Sequence, residues 1–322
     1  MKRPVLKRRA FLGGLALAPA AARGEGYPDK PIRMIVPFAA GGTTDLLARA
    51  LGAHLTQAWG QTVISDNRPG ANGVIAGEQV AKAAPDGYTL ELVAMGHATN
   101  PLIYKKLPYD TDRDFTPISL IATYPQLVMV HPSVPAKTLP ELLALAKKSD
   151  PPLTYASGGN GSSQHLAGAL FAHMAGINLT HVAYKGGNPA LQDLMAGNVS
   201  MMIIQPNSPA QVRSGKVRAL AVSSKTRSSD YPDLPTVDEA GVPGYQSVAW
   251  YGLVAPKGLP AELLSKISAE VSRAGQSDAV KSVVATQSGV MVASTPDAFA
   301  DFIKSERARY AGIVRDAGMT VE

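Results

Sequence analysis

Across 322 residues, 45% of them hydrophobic, the chain has material for two α/β lobes, each with its own core. It contains no cysteine, which excludes disulfides, thiol catalysis and a lipid-attached N-terminal cysteine. The formal charge of +6 belongs to the leader: Lys2, Arg3, Lys7, Arg8 and Arg9 carry five of the six charges, and the rest balances 26 basic against 25 acidic residues, too evenly for a nucleic-acid-binding face.

Residues 1 to 22 read as an export signal, with a basic start, an apolar stretch from Ala10 to Ala18, and the small residues Ala20 and Ala22 as an A-x-A cleavage site. Arg8-Arg9-Ala10-Phe11-Leu12 fits the twin-arginine pattern, with an ordinary Sec signal as the alternative. The apolar run is shorter than the ~20 residues that span a bilayer. The mature chain is therefore expected in the periplasm, after cleavage behind Ala22.

Ile32 to Phe38 reads as a buried strand, followed by a helix with Leu47, Leu51 and Leu55 on one stripe and Gly60 as its stop. Thr62 to Ile64 is the next strand, the loop Asn67 to Gly73 leads into a helix through Lys82, and Tyr88 to Ala94 is a third strand behind the Asp86-Gly87 turn. The pattern then repeats. Leu127 to Val130 is a strand, Thr138 with Glu141 makes a capping box for a helix through Lys148, and Leu153 to Ala156 is a strand. Leu166, Leu170 and Met174 mark a helix face, His181 to Tyr184 a strand, and Asn188-Pro189 opens a helix that Gly197 ends. Val199 to Ile204 and Val217 to Val222 are strands. After the proline- and glycine-rich stretch from Tyr231 to Tyr245, two helices carry Leu263, Ile267 and Val271, then Phe299, Phe302 and Ile303 behind Thr295-Pro296. Strand–helix alternation predicts parallel sheets covered by helices.

Two strand-to-helix junctions stand out: PFAAGGTTD, from Pro37 to Asp45, and YASGGNGSSQH, from Tyr155 to His165. The first turn of a helix has free N–H groups and a partial charge of about +0.5, so it favours an anion. Gly41, Gly42, Thr43 and Thr44 supply backbone approach and hydroxyls at the first junction; Gly158, Gly159, Asn160, Gly161, Ser162 and Ser163 supply them at the second. Neither has the P-loop lysine or the G-x-G-x-x-G spacing, so a carboxylate fits better than a nucleotide. Taken singly, each loop reads as a capped turn, with Asp45 complementing the helix end. Two in one exported chain suggest opposite ends of one small dianion.

Other side chains carry less. His165, His173 and His181 recur every eight residues without an H-x-x-x-H pair, and neither metal nor cofactor is expected. There is no G-x-S-x-G elbow, which leaves a hydrolase using Ser162 or Ser163 with His165 as a distant rival. Glu91 and the run Asp110 to Asp114 carry carboxylates, and the run reads as a solvated turn. Phe38, Tyr155 and Trp250 are candidate pocket walls, and Lys185 and Arg68 candidate partners for a carboxylate.

YPDKPIRMIVPFAAGGTTDLLAR, NRPGANGVIAG, PDGYTL, LPYDTDRDFTPI, YASGGNGSSQHLAG, HVAYKGG and LPTVDEAGVPGY, in this order, resemble the Bug family, the extracytoplasmic solute-binding components of tripartite tricarboxylate transporters. The resemblance runs from about Tyr27 to the C-terminus. It implies a two-lobed periplasmic-binding-protein fold of type II style, each lobe a mostly parallel sheet flanked by helices and joined by crossing strands. The implied boundaries are 23–122 for the first part of lobe 1, 123–223 for lobe 2, and 224–322 for the return to lobe 1 with the C-terminal helices. It also implies a ligand grip by Phe38, Ala39, Ala40, Gly41, Gly42 and Thr43, faced by Ser157, Gly158, Asn160, Gly161, Ser162 and Ser163, with Ala98, Thr99 and Asn100 lining the cleft. Two departures are Asn72, where the family often has glycine, and Ser200 with Ile204, where many relatives have an acidic residue; a cleft-facing Ile204 would disfavour a ligand amino group.

The resulting expectation is a monomeric, non-enzymatic binding protein. It would capture a small organic carboxylate, di- or tricarboxylate or aromatic, and deliver it to cognate membrane permease subunits. A ligand-binding sensor component for a signalling receptor is the alternative.

Overall fold

The computed structural model describes residues 26–205, 212–316 and 319. The expected export signal and its cleavage point behind Ala22 lie outside these residues. In chain order the described elements are β1 (Ile32–Val36), α1 (Thr43–Trp59), β2 (Val63–Asn67), α2 (Val74–Ala81), β3 (Thr89–Ala94), α3 (Gly96–Ile103), β4 (Phe115–Pro125), β5 (Leu127–Val130), α4 (Leu139–Ala146), β6 (Leu153–Ser157), α5 (Ser163–Ala175), β7 (Leu179–Ala183), α6 (Gly187–Ala196), β8 (Met201–Ile204), β9 (Arg218–Val222), β10 (Val248–Pro256), α7 (Ala261–Ala274), α8 (Asp278–Ala285), β11 (Val290–Met291) and α9 (Pro296–Asp316). They build two sheets, ordered β11-β4-β10-β3-β1-β2 and β7-β6-β8-β5-β9.

Both sheets are mixed. β1 is parallel to β2 and β3, and β6 is parallel to β7 and β8, as the strand–helix alternation predicts. β10 runs antiparallel to β3 and β4, and β5 runs antiparallel to β8 and β9, because these strands enter from the opposite sheet. Gly252 interrupts β10 for a packing reason: a Cβ there would lie 2.1 Å from Cζ of Phe299, so only glycine lets that ring onto the sheet.

The leucine stripe of α1 is buried as its spacing predicts. Leu47, Leu51 and Leu55 pack with Met34, Leu92 and Ile267 on one face of the first sheet. At 1.5–3 kcal/mol per buried side chain, these three contribute about 5–9 kcal/mol, an upper figure because the unfolded chain is already partly collapsed. Gly60 ends the helix in the left-handed region at φ 69°. On the other face of the first sheet, Ile35 and Val93 belong to a cluster that continues through Trp250 and Phe299 to Tyr155 and Leu166 of the second sheet's half. Under α6, a third cluster joins Leu191 and Leu194 to Met202 and Ile204.

Among the described residues the chain passes between the halves at Gln126 and at Ser247, and the turn at Ser223 lies beside them because residues 224–246 pack back on the second sheet's half. Gln126 lies between β4 and β5, Ser223 follows β9, and Ser247 precedes β10; all three are fully buried. Gln126 N–H donates to Ser223 Oγ (2.9 Å), Ser223 N–H to Gln126 O (2.8 Å) and Ser247 N–H to Ser223 O (2.9 Å). The crossing is thus a polar seam with backbone bonds satisfied in place. α9 packs on β4 and also reaches α5, so it straddles the same crossing.

Candidate functional site

The first loop, Pro37 to Gly42, leaves β1 at its C-terminal end and enters α1, which has Gly42 at its N-cap. Ala39 to Gly42 are exposed, and the backbone N–H groups of Ala39, Ala40, Gly42, Thr43 and Thr44 make no hydrogen bond among the described residues. Gly41 N–H is different: it donates to Asp45 Oδ2 at 2.9 Å. Asp45, only 2% exposed, also accepts from Arg49 Nε (2.9 Å) and from Asn67 Nδ2 (3.1 Å), and Asn67 Nδ2 holds Phe38 O at 2.9 Å. Burial would raise the Asp45 carboxyl, but the bonds from Arg49, Gly41 and Asn67 outweigh it and hold it below the usual carboxylate range. Asp45 therefore does more than complement a helix end. It is an internal anion that shapes the loop, with Arg49 balancing its charge.

The second loop leaves β6 and enters α5. Ser157 is fully buried; its hydroxyl meets His181 Nε2 at 2.6 Å and accepts from Gly159 N–H at 3.1 Å. Gly161 N–H donates to His165 Nδ1 (3.1 Å), and the N-cap Ser162 accepts from His165 N–H (3.3 Å). The unbonded backbone donors here are Gly158, Asn160, Ser163 and Gln164. A side chain at Gly158 would be crowded, since a Cβ there would lie 3.0 Å from Gly187 N. Of the residues expected to grip a ligand, Ser157 turns its hydroxyl to His181 of β7, and Gly161 turns its N–H to His165.

The eight-residue histidine spacing has a structural meaning for two of its members. Tyr155 and His181 are register partners across β6 and β7, and His165 stacks on His181 with ring centroids 3.9 Å apart. His173 is exposed on the far side of α5. Burial, then the neighbouring His181, pushes His165 down to about 4, and burial also lowers His181. A histidine that titrates near 6.5 unfolded and near 4 folded adds stability that is whole above about pH 6.5 and lost as the pH falls toward 4. Protonation also removes the Nδ1 acceptor for Gly161 N–H. Thermal melts from pH 8 to pH 4 are expected to show a midpoint that drops below pH 6.5, with a shallower drop in His165→Asn.

Each loop is tied to the opposite half. Thr43 Oγ1 donates to Gln287 Oε1, while Gln205, directly after β8, donates from Nε2 to Gln287 Oε1 (3.2 Å) and Thr43 Oγ1 (3.4 Å). Asn72 Nδ2 donates to Gly161 O (2.9 Å) and to Asn100 Oδ1 (3.0 Å), and Asn100 Nδ2 returns to Asn72 O (3.1 Å). Gly70, Ala71, Asn72 and Gly73 all have positive φ, 140°, 45°, 51° and 91°, a strained run at the mouth of this contact. Ala98, Thr99 and Asn100 are buried in α3, where Arg307 Nε donates to Ala98 O (3.3 Å). Of the three, Asn100 borders a cavity of about 10 Å³ beside Phe38 and Asn72.

Other candidates fall elsewhere. Trp250 is fully buried and edge-on to Phe299 and Phe302, Tyr155 stacks on the histidines, and Arg68 pairs with Asp66 at 2.9 Å. Ile204 is 4% exposed within the apolar cluster under α6, with its Cδ1 beside Gly187. Sequence reading missed Gln205 and Gln287, which carry no local signal.

Comparison with known proteins identifies the family. The profile of the tripartite tricarboxylate transporter family receptor, TctC, matches residues 47–319. Protein BugT of Bordetella pertussis is 37% identical over 310 residues, 94% of this chain and 93% of that one. The solved structure of R. palustris Rpa4515 with adipate is 36% identical with a TM-score of 0.84, covering 92% of this chain and all of that one. MatC of Rhodopseudomonas palustris with bound malate is 34% identical with a TM-score of 0.80, over 89% of this chain and all of that one.

Proposed function

From the premise that the chain belongs to the tripartite tricarboxylate transporter receptor family, whose members are periplasmic solute-binding receptors and not enzymes, we propose that it captures a small organic dicarboxylate between two lobes and hands it to a membrane permease. The lobes expected at 23–122 with 224–322, and at 123–223, shift to the Gln126–Ser223–Ser247 seam: β4 keeps Thr123 to Pro125 in the first lobe, and Tyr231, Leu234 and Tyr245 pack on the second. The observation that carries this reading is the loop at the start of α1, exposed from Ala39 to Gly42, in which the N–H groups of Ala39, Ala40, Gly42, Thr43 and Thr44 are unbonded among the described residues and only that of Gly41 turns inward to Asp45. Such a loop binds a carboxylate without a cation, since N–H groups and the helix end supply the positive potential. Phe38 walls this side, and Gly158, Asn160 and Ser163 offer donors from the other. Ser157, Gly161 and Ser162 set the shape of their loop, while Ala98, Thr99 and Asn100 support the gap from behind. Adipate and malate in two relatives support a dicarboxylate over a monocarboxylate.

The mechanism is lobe closure about the seam. A ligand that touches both loops favours the closed state by its differential affinity for that state. The Asn72–Gly161 and Thr43–Gln287–Gln205 contacts are uncharged, so they add to closure without competing for an anion. An export signal at residues 1–22 and a monomeric carrier complete the proposal.

Calorimetry of the mature chain against mono-, di- and tricarboxylates tests the reading. Binding of a C4 to C6 dicarboxylate, lost when one end is amidated, is expected. Failure to bind any of the three classes would overturn it.

A further inference from the structure

Glu91 lies in the middle of β3, only 2% exposed, and its carboxyl has no hydrogen-bond partner among the described residues, with Oε2 fully enclosed. A buried polar group without a partner costs stability, so its retention in the middle of a strand calls for a physical reason. Glu91 borders the cavity of about 10 Å³ that also touches Phe38, Asn72, His97, Asn100 and Tyr109. That space admits one water molecule, and its walls provide the polar partners a water needs. Its lining thus brings Pro37 and Phe38 of the first loop and the Asn72–Asn100 pair to the same space as Glu91.

We propose that Glu91 makes carboxylate capture pH-dependent: enclosed as a neutral acid behind the first loop, it keeps a second negative charge away from the anion site. The inference rests on the carboxylate-binding reading given above. A neutral Glu91 donates its O–H to the water in the cavity, which passes polarisation toward Phe38 and Asn100. An ionised Glu91 places a second negative charge behind the loop that binds the anion, and like charges in a low-dielectric wall repel. The surroundings provide nothing to offset that charge. β1 and β10 present Ile35 and Val254 as register partners, α3 presents His97, and the chain before β4 presents Tyr109. His97 stays neutral because burial and Arg307 lower it to about 3, while Arg307 is itself paired with Asp112. Burial raises Glu91 to about 8. Folded Glu91 therefore keeps its proton up to about pH 8 and releases it above that, while the carboxylates of the ligand are ionised throughout.

The test is calorimetry of the full mature chain and of Glu91→Gln with malate and adipate at pH 6.5, 7.5, 8.5 and 9.5. The wild type is expected to lose at least about tenfold in affinity over this range, since each unit above the titration point costs up to tenfold. Glu91→Gln, with the shape of the neutral acid, is expected to bind with wild-type affinity at pH 6.5 and to stay flat. A wild-type profile without the fall, or the same fall in Glu91→Gln, would overturn the role of Glu91 and leave carboxylate binding standing. No binding by the wild type at pH 6.5 would overturn the functional reading and this inference with it. Thermal melts of Glu91→Gln and Glu91→Leu separate loss of fold from loss of binding.

Discussion

Replacing Gly42 with valine is expected to weaken carboxylate binding on the order of 100-fold while leaving the fold intact. Gly42 has φ −84° and ψ 172°, an extended conformation that valine adopts freely, and a Cβ there meets only Ala39 O at 3.7 Å. Nothing in the protein has to move. The added methyl groups instead cover the N–H groups of Gly42 and Thr43, at the centre of the unbonded row. Losing about two charge-assisted hydrogen bonds, at 1.5–3 kcal/mol each, accounts for the magnitude, since 1.4 kcal/mol is tenfold. Gly41 would be a poorer choice: its φ of 84° strains any side chain, so loss of binding there would not separate site from backbone. A melting temperature within a few degrees of wild type, alongside lost calorimetric heat, is the expected pair of results. Unchanged affinity would move the ligand away from this loop.

Asp45→Ala carries the largest expected cost to stability, about 3 kcal/mol in urea unfolding. The carboxylate is 2% exposed and accepts from Gly41, Arg49 and Asn67; its removal takes away three hydrogen bonds at about 1 kcal/mol each and the acceptor that turns the Gly41 N–H inward. Asp45→Asn keeps the shape and should lose less. Because the folded carboxyl is depressed, the contribution of Asp45 is present above the usual carboxylate titration, near pH 4, and lost as the pH falls through the folded value. Acid melts of wild type and Asp45→Asn should converge at low pH. Since Asp45 holds Gly41, and Asn67 holds Phe38, both substitutions should also weaken binding by loosening the loop.

The parts of the fold that were legible in the sequence are those with local signals. Leu47, Leu51 and Leu55 gave the stripe of α1, and Gly60 and Gly197 gave helix ends that adopt φ of 69° and 81°. Thr138 accepts from Glu141 N–H at 3.3 Å, as a capping box requires. β4 and β10 were not legible, because Pro117, Pro125 and Gly252 interrupt them and both faces are buried, which erases alternation. α3 hid behind Pro101 and an uncapped start at Met95. At the candidate site, glycine and hydroxyl residues announced two anion-friendly turns. Their internal wiring was hidden: Asp45 with Asn67, Ser157 with His181, and Gln205 with Gln287 are pairs that only the folded chain brings together. Asn72, read as a departure from glycine, proves to bridge the two halves through Gly161.

A crystal structure of the mature chain with its best dicarboxylate from the calorimetric panel tests the central claim most directly. One carboxylate should lie within hydrogen-bond distance of the amides between Ala39 and Thr44, and the far end of the ligand should rest against the turn from Gly158 to Ser163. A ligand held by lysine or arginine side chains on another face, or density that leaves the Ala39 to Thr44 amides facing solvent, would contradict it.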